Sequence, residues 1–211
     1  MANGNTTTTR RIMMGAKLLS SVFSPFYLPM AGLLALLIFS YFSVFPFVIK
    51  LRIMLIVLCF TVLLPSTLIR LYRNSQGWTH RELGIRERRM VPYIISIVCY
   101  FACHYYLFTI HIPHFIGGIV LTALILQMTC ALINPWWKIS THTAAIGAFT
   151  GALMAFSLIF NFNPVWWLCI LLMLSGLVGT SRMLLRQHTL AQVLGGYGIG
   201  FFVAFYSTLM L

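Results

Sequence analysis

Phe115-Ile-Gly-Gly-Ile-Val-Leu-Thr-Ala-Leu-Ile-Leu-Gln-Met-Thr-Cys-Ala-Leu-Ile133 runs for nineteen residues without a charged side chain. A helix of about 20 mostly apolar residues crosses the hydrocarbon core of a bilayer. This stretch therefore reads as a membrane span. Working outward, the same pattern recurs at Tyr27–Phe45, Leu51–Ile69, Val91–Ile110, Thr143–Phe160, Val165–Thr180 and Leu190–Leu211. Turn and interface residues separate the runs: Pro46, Pro113, Asn134-Pro135-Trp136-Trp137 and Asn161-Phe162-Asn163-Pro164. Tryptophan pairs at such edges suit the headgroup layer. The expectation is an all-α, polytopic bundle of about six to seven transmembrane helices. Residues 1–26 form a polar N-terminus and interfacial lead-in, and residues 27–211 form a single transmembrane domain.

Composition supports this. The chain has 211 residues, 60% of them hydrophobic and 8% charged, with a mean hydropathy of +0.94. Soluble domains carry about 25% charged residues. There are 14 Lys+Arg against 2 Asp+Glu, a net charge of +12. Such a charge can signal nucleic acid. Here the basic residues lie between apolar runs, so they read as membrane-orientation signals and contacts to anionic lipid. Five cysteines lie singly inside apolar runs, without the spacing of a metal or disulfide framework. His104, His111 and His114 bring no acid or partner motif with them, so they read as structural rather than as haem or metal ligands.

Seven crossings place 70–90, 134–142 and 181–189 at one membrane face, together with the N-terminus. That face, A, holds twelve of the basic residues, and the opposite face, B, holds Lys50 and Arg52. The bias predicts a multi-pass protein of the inner, cytoplasmic membrane, with face A cytoplasmic. Three polar segments converge on face A. They are Arg81-Glu-Leu-Gly-Ile-Arg86-Glu-Arg88-Arg89, Lys138-Ile-Ser140-Thr141-His142 and Ser181-Arg182-Met-Leu-Leu-Arg186-Gln-His188-Thr-Leu-Ala-Gln192. Guanidinium forks match phosphate oxygens. One neutral imidazole can attack phosphorus, and a second can protonate the leaving oxygen. With two acids in the whole chain, a carboxylate-bound metal is hard to build.

These segments resemble the motifs of the type 2 phosphatidic acid phosphatase superfamily, the membrane lipid phosphatases related to vanadium haloperoxidases. Its third motif is Ser-Arg, five residues, His, three residues, Asp. Ser181, Arg182 and His188 match it, and Gln192 stands at the acidic position, as in a divergent bacterial branch. Its second motif, Pro-Ser-Gly-His, keeps Ser140 and His142. The first is loose, carried by Arg81, Arg86, Arg88 and Arg89.

The resemblance implies His188 as nucleophile, through a phosphohistidine, and His142 as acid for the leaving alcohol. Gln192 would orient His188, since positions four apart share a helix face. Arg182, Ser181, Ser140 and the arginines of 81–89 would bind phosphate. No metal and no cofactor would be needed. The implied substrate is a lipid phosphate: phosphatidate, phosphatidylglycerophosphate, phosphoinositide or polyprenyl diphosphate. The alternatives are a lipid phosphotransferase and a non-catalytic lipid-phosphate binder or transporter on the same scaffold. Nucleic acid is not an expected partner, and oligomeric state is not encoded in any feature read here.

Overall fold

The computed structural model describes residues 3–39, 41–77 and 90–210. The helices are α1 Asn3–Val22, α2 Leu28–Phe39, α3 Phe47–Leu58, α4 Leu64–Ser75, α5 Met90–Thr109, α6 His114–Ile133, α7 Thr141–Phe160, α8 Val165–Leu184 and α9 Leu190–Leu209. No strand occurs among the described residues. Among the described residues, six helical stretches are long and apolar enough to cross a membrane: Phe47–Ser75, α5, α6, α7, α8 and α9. Large apolar side chains face outward, Trp166 being 81% and Met173 72% exposed. Lipid covers such a surface, and helices satisfy their own backbone groups within it. The chain is a multi-pass membrane protein.

The first expected span differs. Tyr27–Phe45 is not one helix. α2 has 12 residues, about 18 Å of rise, short of the ~30 Å hydrocarbon core. Short 3-10 turns flank it at Pro25–Tyr27 and Tyr41–Val44. Met13–Tyr27 and Pro29–Ile38 make a membrane-length pair only with a bend of 76° between them. Pro25 and Pro29 each remove a ladder donor, which hydropathy does not register. The chain still changes sides here. Ser20, near the end of α1, meets Arg182 at the end of α8, whereas α3 starts at the opposite membrane end.

Phe47–Ser75 shows the converse. It runs 29 residues through Pro65. A proline cannot donate to the carbonyl four residues back, here that of Thr61. The strain is taken up in a π-helical turn, Cys59–Leu63, the usual accommodation for such a break. The Thr61 hydroxyl donates to the Val57 carbonyl at 2.7 Å.

α6 and α7 are the central helices, with half or more of each enclosed by the others. α7 and α9 lie backbone against backbone. A Cβ on Gly147 or Gly151 would overlap the carbonyls of Tyr197 or Phe201, and one on Gly200 would overlap that of Ala144. A Cβ on Gly196 would sit 2.7 Å from the Ser140 carbonyl. These contacts advance in the same direction on both helices, so α7 and α9 are parallel. Small residues at four-residue spacing permit this approach in membranes. The two helices therefore begin at the same membrane end.

Candidate active site

The start of α9 is held by a capping box. Thr189 is the N-cap, and its hydroxyl accepts from the Gln192 backbone N–H at 3.4 Å. The Gln192 side-chain oxygen, Oε1, accepts from the Thr189 backbone N–H at 3.3 Å. Thr-x-x-Gln is a standard sequence for this arrangement. Here Oε1 accepts a second bond, from the Nδ1–H of His188 at 3.1 Å. The two bonds act together. A backbone N–H can only donate, so Thr189 requires the oxygen of the Gln192 amide, not its nitrogen, at this point. That oxygen in turn requires the proton of His188 on Nδ1. The cap thereby selects one tautomer of His188, which is buried.

The end of α8 supplies the next groups. Ser181 and Arg182 are both buried in its last turn. Arg182 Nη1 donates to Ser20 Oγ at 2.6 Å, so an N-terminal helix anchors an arginine 162 residues later. The chain then reverses through Arg186, whose φ is 53, into the His188–Thr189 segment. α8 and α9 are close there, a Cβ on Gly179 lying 2.9 Å from Val193 Cγ1.

The start of α7 supplies the rest. Ser140 is its N-cap but makes no side-chain cap bond. The residue is fully buried, and its Oγ has no hydrogen-bond partner among the described residues. A buried hydroxyl left unsatisfied costs about 1–3 kcal/mol. One placed at a helix N-terminus, where backbone N–H groups and the helix dipole favour an anion, suits a bound oxyanion. His142, half-buried, follows in the first turn.

The structure thus brings Gln192 and His188 into direct contact. It places Ser140 one turn along α9 from Gln192, against Gly196. Ser181, Arg182 and His142 lie at the same membrane end. Arg81, Arg86, Arg88 and Arg89 lie outside the described residues. Two residues were missed in the sequence. Thr189 was legible, since Thr-x-x-Gln is a capping pattern. Ser20 carried no signal. His104, by contrast, is a brace, its Nδ1 lying 3.1 Å from the Gly117 carbonyl across α5 and α6.

Three comparisons with known proteins bear on this arrangement. Neither the curated proteins nor the solved structures gave a match. One family model, described as the PAP2 superfamily, matches residues 94–211. This is more than half of the chain, contains α6 to α9 whole, and begins after the arginine-rich segment.

Proposed function

The chain belongs to the PAP2 superfamily, and from that premise we propose that it is a membrane lipid phosphatase acting through a phosphohistidine. The observation that carries the mechanism is the pair of bonds accepted by Gln192 Oε1. With the proton held on Nδ1, Nε2 of His188 is the nitrogen with a lone pair to attack phosphorus. In the first step an N–P bond forms and the ester P–O bond breaks. His142 gives its proton to the departing lipid oxygen. In the second, water attacks phosphorus, the N–P bond breaks, and His142 takes the proton back. Arg182 and the buried Ser140 hydroxyl hold phosphate oxygens, joined by Ser181 and by Arg81, Arg86, Arg88 and Arg89. Positioning and charge stabilisation supply the rate, without a metal in the step.

The working unit is the transmembrane domain over 27–211, in the inner membrane, with face A cytoplasmic. The basic bias supports that orientation. The test is phosphate release from lipid phosphates by purified protein in chelator, with and without vanadate. His188→Ala should abolish turnover, and acid-labile label should remain on the wild type after brief exposure to labelled substrate. Undiminished turnover by His188→Ala refutes the mechanism. Tight lipid-phosphate binding without release would favour the binder reading.

A further inference from the structure

α8 ends in a closed turn. The Gln187 N–H donates to the Arg182 carbonyl at 3.1 Å, and the Arg186 N–H donates to the Met183 carbonyl at 2.9 Å. This pair of bonds is a Schellman motif, and it puts Arg186 at the position that most often holds glycine. The reason is steric. At a φ of 53 a Cβ crowds the following carbonyl, and glycine has none. Three non-glycine residues among the described ones have positive φ: His111, Asn161 and Arg186. Histidine and asparagine are enriched in this conformation, and arginine is not. A cation does suit the end of α8, but any position in the last turn offers that without strain. Arg186 is thus an expensive choice, and strain of this kind persists chiefly at functional sites.

The same turn joins the two ends of the candidate site. It begins at the carbonyl of buried Arg182 and delivers the chain to buried His188. Arg186 itself is exposed. Two residues separate it from His188, about 7 Å or less between Cα atoms, which a long arginine side chain can span. Among the described residues that side chain makes no hydrogen bond or ion pair. We propose that Arg186 is a further phosphate-binding residue. Its guanidinium closes on the substrate's phosphoryl oxygens from the solvent side, while Arg182 holds them from the buried side. The fork of an arginine matches two such oxygens at once. The proposal rests on the phosphatase reading above, and it adds a residue that the motif resemblance leaves without a role.

The experiment compares wild type, Arg186→Gly, Arg186→Ala and Arg186→Lys in detergent. Thermal unfolding reads the backbone. Binding of inorganic phosphate and vanadate, together with lipid-phosphate turnover, reads the side chain. Arg186→Gly relieves the strain and should hold Tm or raise it by about 2–4 °C, whereas Arg186→Ala keeps the strain and should unfold below it. Despite that difference, both should bind phosphate about 10- to 100-fold more weakly, the range for a bond to a charged group, and lose kcat/KM by a similar factor. Arg186→Lys keeps the charge without the fork and should fall between. Unchanged phosphate binding and turnover in Arg186→Gly overturn the proposal and leave the phosphatase reading standing. A Tm that falls by several degrees in both the Gly and Ala variants also overturns it, since Arg186 would then be a structural ion-pair partner. Weakened phosphate binding by the variants of a protein that turns nothing over sustains the proposal and sinks the phosphatase reading. A wild type that neither binds phosphate nor releases it from lipid sinks both.

Discussion

Replacing Gln192 by Leu removes one oxygen and, with it, two accepted hydrogen bonds, from the Thr189 N–H at 3.3 Å and from the His188 Nδ1–H at 3.1 Å. Each has a separate consequence. Losing the first opens half of a capping box, about 0.5–1 kcal/mol by the usual scale of helix caps. That is a fall of about 2–4 °C or less in Tm for a chain of this size. Losing the second removes a bond that strengthens as His188 becomes positive in the transition state. Bonds to charged groups are worth about 1.5–3 kcal/mol, or roughly a 10- to 100-fold loss in turnover. If the tautomer inverts as well, the loss can approach the ~10⁴ seen when a serine protease histidine is wrongly protonated. Gln192→Glu is the informative partner, because its chain length fits the same capping box. A carboxylate there accepts both bonds and favours imidazolium, so it should retain or raise turnover. It raises the pKa of His188, and the nucleophile must be neutral, so the rising limb of the pH profile moves upward. Thr189→Ala is the control. It weakens the same helix start but leaves Oε1 and the Thr189 N–H in place, so it should lose stability and little activity. The assay is phosphate release beside thermal unfolding in detergent. Wild-type turnover by Gln192→Leu would refute the orienting role. A Thr189→Ala defect as deep as that of Gln192→Leu would assign the effect to the helix start instead.

Three further outcomes follow from the fold. Gly200→Ala drives a Cβ into the Ala144 carbonyl and should cost about 3 kcal/mol or more; Gly198→Ala, with nothing within 4 Å, should be neutral, as thermal unfolding will show. Ser20→Ala removes the acceptor of Arg182 Nη1 and should lower kcat/KM about tenfold, mainly through KM; an unchanged KM would remove α1 from the site. If face A is cytoplasmic, the C-terminus, one crossing beyond His188, lies outside, so a C-terminal alkaline phosphatase fusion should be active and a fluorescent protein fusion dark.

Much of this protein could be read from its residues because membrane spans obey a length rule. Six spans stand where apolar runs predict them, and Phe47–Ser75 does so despite Pro65. The broken segment around α2 was hidden for the same reason, since Pro25 and Pro29 interrupt the backbone without lowering hydropathy. The Gln192–His188 contact was legible because the spacing is local, although His188 precedes the N-cap Thr189, so the capping box and not a shared helix face brings the two together. The Ser20–Arg182 contact was not, because nothing in a chain announces a pairing across 162 residues. The α7–α9 glycines were visible as small residues, but their partners were not, since packing register belongs to the folded state.

That glycine seam also decides how the protein can move. Where side chains separate two helices, rotamer changes let them slide or part. Between α7 and α9 there is nothing to rotate, so the pair behaves as one stiff plank. A lipid entering sideways must therefore displace helices outside this pair. In hydrogen exchange, amides around Ala144–Gly151 and Gly196–Gly200 should open last, while those of the broken α2 segment open first.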